Sequence, residues 1–268
     1  MRKLRTAAAV AGLLQYSLAS RGWAQIDYRN LDDDRPVLTE DAYPVERYAF
    51  ELLVPYRFEV EAGGDELHTA VPELAFGLIR NGQVGLKLPL AAVDEGTGTD
   101  WGLAGVRIFG LYNFNTEAQA LPAVSLRGDA SFPVGSLAED AARLALKAIL
   151  TRSWGRLRTH LNASRGFGSE DALSSVEPVP RWRASFAVDW TLFRSSMLLI
   201  AEVATTQLID RAPSGVTAST GGRWQWTPTL VLDLGLTRRL SHDGPDFALT
   251  VAVSHAFGIR SLMPGGSR

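Results

Sequence analysis

The chain has 268 residues, 46% of them apolar, a formal net charge of −2 and no cysteine. That length closes one barrel or buries one sizeable core. The charge leaves no basic footprint for nucleic acid, and the missing thiols exclude a disulfide framework and any cysteine-ligated metal.

Arg2, Lys3 and Arg5 make a basic start, and Ala7 to Leu14 continue it as an apolar, small-residue run. Gly22-Trp23-Ala24 then places small residues at the two positions a signal peptidase reads. Residues 1–24 are therefore expected to be an export signal cleaved after Ala24, with Ala19 the alternative. Residues 25–45 are polar and acidic, with Asp32, Asp33 and Asp34 in a row. Such a stretch cannot bury an apolar face, and it is expected to be a periplasmic lead-in or plug before a barrel spanning 46–258 and a tail of 259–268.

From Tyr48 the pattern has period two, the signature of a strand with one apolar face. Tyr48, Phe50, Leu52, Val54, Tyr56, Phe58 and Val60 oppose Glu51, Arg57 and Glu59. Leu74, Phe76 and Leu78 follow, then the tight-turn pair Asn81-Gly82, then Val84, Leu86, Leu88 and Leu90 against Lys87. Val106 to Phe114 oppose Arg107 and Asn113, and Val124 to Phe132 oppose Ser125, Arg127 and Asp129. Two strands around Gly155 set Leu144 to Trp154 against Lys147 and Thr151, and Leu157 to Ala163 against Arg158, His160 and Asn162. Trp182 to Trp190 oppose Arg183 and Asp189, and Met197 to Val203 oppose Glu202. Trp224 and Trp226 mark a tenth strand, Leu230 to Leu236 with Asp233 an eleventh, and Phe247 to Val253 a twelfth.

No run reaches the roughly 18 apolar residues that a membrane helix requires. Tight connections at Asn81-Gly82, Gly155, Arg194-Ser195 and Thr227-Pro228 alternate with long polar ones at 94–101, 168–178 and 210–219. Outer-membrane barrels alternate short periplasmic turns with long outer loops. The expected fold is thus all-β, a transmembrane antiparallel up-and-down barrel of about twelve strands. A soluble barrel also alternates apolar and polar residues, but twelve long strands with one apolar face would leave it a greasy lumen or a greasy exterior.

The face opposite the apolar band supplies the candidate lumen-lining residues: Glu51, Arg57, Lys87, Arg107, Arg127, Asp129, Lys147, Arg158, His160, Asn162, Arg183, Asp189, Glu202 and Asp233. With Glu59, seven of these are basic and six acidic. The near balance predicts an ion-pair network in the lumen rather than a selectivity ring of one sign. His160-x-Asn162 is the only pair that suggests catalysis, with Ser164 and Ser125 as conceivable nucleophiles. Their parity with Arg158 points them into the lumen and favours hydrogen bonding there. No cofactor and no metal-ligand spacing is read. His255 falls on the lipid-facing parity beside Phe257.

In order and spacing, several motifs resemble those of the MetA-pathway of phenol degradation family of outer-membrane proteins. They are Asp34-Arg35-Pro36 with Leu38-Thr39-Glu40-Asp41, Val71-Pro72-Glu73-Leu74 with Gly77, Pro89, Leu121-Pro122, Phe132-Pro133-Val134-Gly135, His160-Leu161-Asn162 and Glu202. Three features depart from the family pattern: Val134 in place of threonine, Val106 in place of an acidic residue, and eleven residues after Phe257. The resemblance implies an outer-membrane transporter or channel for small hydrophobic or aromatic solutes. The alternatives are a structural or sensory barrel without conduction and, behind it, a lipid-modifying enzyme. The expected partners are outer-membrane lipids, the barrel assembly machinery and a small hydrophobic solute.

Overall fold

The computed structural model describes residues 25–61, 64–94, 98–168, 178–192, 196–241, 244–259 and 262. The expected export signal and nearly all of the expected tail lie outside them. The strands are β1 (Ala49–Val60), β2 (Glu66–Ala70), β3 (Glu73–Ile79), β4 (Gly82–Lys87), β5 (Leu90–Asp94), β6 (Thr99–Leu103), β7 (Val106–Asn115) and β8 (Ala123–Phe132). There follow β9 (Arg143–Trp154), β10 (Leu157–Phe167), β11 (Trp182–Thr191), β12 (Met197–Gln207), β13 (Gly215–Thr227), β14 (Leu230–Ser241) and β15 (Phe247–Gly258).

All belong to one sheet, and β15 pairs back to β1 in antiparallel register from Ala49↔Gly258 to Val60↔Phe247. On its other side β1 pairs with β3 through its first half and with β2 through its second. β2 and β3 are therefore one barrel stave interrupted at Val71-Pro72. β4 and β5 are likewise split at Leu88-Pro89, and β6 and β7 at Ala104-Gly105. Counted this way, twelve staves close a transmembrane barrel.

Two of the interruptions fall at prolines, and the third falls at Gly105, whose φ is +112°. Proline has no N–H for the ladder. The neighbouring residue instead donates to a proline carbonyl one stave away: Val71 N–H to Pro55 (3.3 Å), Leu88 to Pro72 (2.9 Å) and Ala104 to Pro89 (2.8 Å). Beyond these breaks the alternation fades, which is why β2, β5 and β6 extend the second to fourth expected strands past the legible part. The tenth expected strand starts at Gly215, well before its two tryptophans. Its first half carries small residues, so its apolar period is faint.

The inner and outer faces of the staves are chemically inverted relative to a soluble protein. On β9, Leu144 is 58% exposed while its neighbour Arg143 is 1% exposed. Leu146, Phe186, Trp190, Leu199, Val203, Leu234 and Val251 share the outer face, as do Tyr112 and Trp154. Lys87, Arg127, Arg158, Asp189 and Glu202 are buried inside. Hydrocarbon accepts the first set, whereas a charge at its centre is costly. His255 is on the outer parity but shielded: Nδ1 meets the Thr229 carbonyl at 3.0 Å and the ring stacks on Phe257.

Short connections gather at the barrel end that holds the start of β1 and the end of β15; this is called the turn end, and the opposite one the loop end. One turn-end connection, 116–122, is seven residues long. Arg152 organises it by donating to the carbonyls of Ala118, Gln119 and Leu121.

Candidate functional site: a plugged lumen

Residues 25–46 enter the barrel and fold back on themselves. At the turn end, the Ile26 N–H donates to the Pro228 carbonyl (2.9 Å), and Gln225 Nε2 donates to the Ile26 carbonyl (2.8 Å). The chain climbs to a turn at Asp32–Arg35 and descends to the turn end again, where the Tyr48 N–H reaches the Gly77 carbonyl at 2.8 Å. The two limbs are joined by the Asp41 N–H to the Leu31 carbonyl (2.9 Å). At the apex Pro36 lies on β14: a Cβ at Gly235 would sit 2.1 Å from its carbonyl oxygen, so only glycine fits there.

A buried segment without regular structure must satisfy its backbone through side chains, and the barrel wall supplies them. Glu202 accepts the N–H groups of Leu38 (3.2 Å) and Thr39 (2.6 Å). The Asn162 amide accepts from the Glu40 N–H (2.9 Å) and donates to the Glu40 carbonyl (2.8 Å). Thr151 Oγ1 accepts the Ala42 N–H, Asn113 and Ser125 donate to the Ala42 carbonyl, and Gln83 accepts the Val45 N–H at 2.6 Å. Below them Glu117 of the 116–122 turn accepts the Tyr43 hydroxyl at 2.9 Å, which, with burial, pushes that phenol up.

Charge complements these bonds. Residues 25–46 contain seven carboxylates and two arginines, a net charge of −5. They meet the wall in three clusters. In the first, Arg35, with no solvent exposure, pairs with Asp32 (2.7 Å), Glu51 on β1 (3.4 Å) and Asp233 on β14 (3.0 Å), and donates to Ser254 on β15. Arg223 joins it through Asp233 (2.7 Å) and Asp32 (3.5 Å).

In the second, Asp33 lies among Lys87 (2.8 Å), Lys147 and Arg127 (3.6 Å). Glu40 pairs with Arg127 at 2.8 Å and Lys147 at 3.1 Å, and the wall adds Glu73 beside Lys87 (3.2 Å) and Asp129 beside Arg127 (2.9 Å). Burial alone would raise the Asp33 carboxyl, but the three cations outweigh it and hold it well below the usual carboxylate range. In the third, Asp41 meets Arg158 at 3.3 Å, and Arg158 and His160 both contact Asp189 (2.9 and 2.7 Å). Burial pushes the Asp41 carboxyl up to about 7, with Arg158 and the N–H groups of Tyr43 and Leu31 pulling part of the way back.

The remaining candidates from the sequence sit around these clusters. Arg183 reaches Asp34 at 3.5 Å, Arg57 pairs with Glu59 at 2.5 Å toward the loop end, and Arg107 is half-buried near Glu139. His160 Nδ1 meets Thr151 Oγ1 at 3.0 Å, so a hydroxyl, an imidazole and a carboxylate stand in line. That hydroxyl is sealed under the plug and takes the Ala42 N–H. Parity alone could have added Glu73 and Arg223 to the lumen set. The plug partners Arg35, Asp33, Glu40 and Asp41 could not have been matched to the wall from sequence, because nothing local encodes which carboxylate faces which strand.

A twelve-stave barrel with an apolar exterior and a charged, plugged interior is a fold of the outer-membrane channel and porin class. Solved structures agree. The COG4313 outer membrane channel from Pseudomonas putida F1 is similar with a TM-score of 0.62 at 15% identity, over 85% of this chain and 100% of that one. The KdgM porin follows at 0.54 and 9% identity over 77% and 99%, and the NanC porin at 0.50 and 10% over 78% and 100%. No curated protein matches the sequence. The chain belongs to the family described as "Putative MetA-pathway of phenol degradation", whose model matches residues 35–257. The motifs that carry the resemblance include plug contacts, Arg35, Thr39, Glu40 and Asp41 on one side and Asn162 and Glu202 on the other, with Glu73 and His160 supporting the wall residues Lys87, Thr151 and Asp189 behind them.

Proposed function

We propose that this protein is an outer-membrane channel or transporter for small hydrophobic or aromatic solutes, held closed here by residues 25–46. One observation carries the reading. A cavity of about 200 Å3 lies on the loop-end side of the plug, and another of about 350 Å3 on the turn-end side. The inward face of β1 lines both, with Leu53 and Pro55 in the first and Ala49 and Glu51 in the second. Arg35 borders the loop-end cavity, and its 3.4 Å contact with Glu51 stands between the two. Moving one short segment would join them, which is the arrangement expected of a gated path rather than of a solid wall.

In this reading residues 1–24 direct export and are removed, the assembly machinery inserts the barrel, and outer-membrane lipids surround it with the turn end in the periplasm. The names of the similar channel and porins favour conduction, and the family description favours an aromatic cargo. Catalysis is disfavoured because His160 and Asn162 are committed to the plug and its support. The test is single-channel recording in planar bilayers paired with phenol and toluene uptake by cells with and without the protein. Stepwise currents and protein-dependent uptake are expected; a silent bilayer together with unchanged uptake would leave a structural barrel. Intact mass of the membrane-extracted protein reads the export step, with loss of 24 residues expected.

A further inference from the structure

We propose that Lys87, Arg127 and Lys147 form a carboxylate-binding subsite on the transport path, filled in the closed state by Asp33 as a built-in competitor. The admitted solute is then an organic acid with an apolar, aromatic body. The inference rests on the channel reading and sharpens its cargo.

The wall itself asks for an anion. Arg127 on β8 and Lys147 on β9 are direct cross-strand partners, and so are Lys87 on β4 and Arg107 on β7. Like charges set directly opposite each other are destabilising, unless something negative lies between them. Asp33 does so in the first pair and reaches Lys87 as well, one carboxylate touching cations from three staves. It arrives from outside the wall, on the plug. Among the described residues, Lys147 pairs with Asp33 and Glu40, and both leave if the plug leaves. With the plug in place the cluster holds three cations and five carboxylates (Asp33, Asp34, Glu40, Glu73 and Asp129), a net of −2. Without the plug's Asp33, Asp34 and Glu40 it holds three cations and two carboxylates, a net of +1.

The same cluster offers a surface for an aromatic body. The Phe109 ring lies under the Arg127 guanidinium at 3.9 Å, with the Lys87 ammonium 5.9 Å from its centroid. Phe109 faces Gly85 across the β4–β7 ladder, and a Cβ there would come within 2.3 Å of the ring. Glycine thus leaves the ring room to lie beside the cations. The subsite is reachable, since Asp33 and Lys87 both line the loop-end cavity, with Arg57 and Arg183 on the approach. Charge-assisted contacts to a carboxylate and a flat apolar neighbour are the recognition elements of an aromatic acid.

The test uses the purified full-length protein with benzoate as probe and benzyl alcohol as the uncharged control. D33N keeps the shape of the competitor and removes its charge. Titration calorimetry should find benzoate bound about tenfold tighter by D33N than by the parent, with benzyl alcohol unchanged, and the double variant D33N/K147Q should lose the gain. In bilayers the reversal potential of D33N in a KCl gradient should move toward chloride. Equal benzoate affinity in parent and D33N, or an equal gain for benzyl alcohol, would overturn the subsite. If D33N refolds poorly, benzoate in the refolding mixture should raise the yield of compact, heat-modifiable barrel, and no rescue would overturn it too. A conducting parent without the benzoate gain sinks the subsite alone. A benzoate gain in a protein that passes neither current nor solute sinks the channel reading alone.

Discussion

The outer and inner faces of the same staves obey different rules. Outside, Leu144, Leu146 and Leu199 need only be apolar, since lipid makes no directional demand. Inside, each side chain has named partners: Glu202 holds two plug N–H groups, and Arg35 bridges three strands. One face is fixed by composition and the other by pairing. Substitutions should therefore be costly outside only when they import charge, and costly inside whenever they remove a partner.

The largest effect is expected at Arg35. R35A strips Glu51 of its ion-pair partner and leaves Asp233 and Asp32 to Arg223 alone. Removing one partner of a buried ion pair costs about 3–5 kcal/mol, and urea unfolding in lipid vesicles should register a loss of that order. On the outer face, V188R places a cation between Phe186 and Trp190 and should cost about 2–4 kcal/mol near mid-membrane. An arginine variant as stable as the parent in the same assay would mean the faces are wrongly assigned.

Smaller losses sharpen the inner rule. E202A strips the acceptor from the Leu38 and Thr39 N–H groups and should cost about 1–3 kcal/mol or raise conductance by loosening the plug. D140A, in an exposed connection, should leave both unchanged. The smallest effect is pH dependence. The Asp41 carboxyl, ordinarily at 3.8, is pushed up to about 7 in the docked plug. Its contribution is complete in acid and is lost as pH rises through about 7. Asp33, held low, keeps its contribution down to the ordinary carboxylate range and loses it only as pH falls below that range. Docking measured by cysteine accessibility should thus weaken from pH 5 to pH 7 and level off above that, and D41N should flatten that slope.

How much of this was legible follows from the same contrast. Period two in Leu144 to Leu150 or Phe186 to Trp190 fixes strand, face and neighbour count, because lipid rewards only the alternation. Parity also placed Arg127, Arg158 and Glu202 inside. It could not say that Glu202 holds backbone rather than a cation, or that Asp33 sits among three cations. Those contacts span more than 50 residues of chain and depend on where the plug turns. The strand at Gly215 was faint because its outward positions before the tryptophans, Ala218, Thr220 and Gly222, are small or polar, and on its inward face Gly221 is small where Pro36 packs.

Arg35 also bears on how the circle is completed. The three wall groups it holds, Glu51, Asp233 and Ser254, lie on β1, β14 and β15, on both sides of the seam where the first strand meets the last. A slip of one residue at that seam would turn every side chain of the closing strand to the other face. Val253 or His255 would then stand where Ser254 should be. The guanidinium would lose its hydroxyl and face carbon or a ring, so the correct register is the one in which this contact can form. A residue that precedes the barrel in sequence thus holds a contact that only the correct register of the closing strand permits.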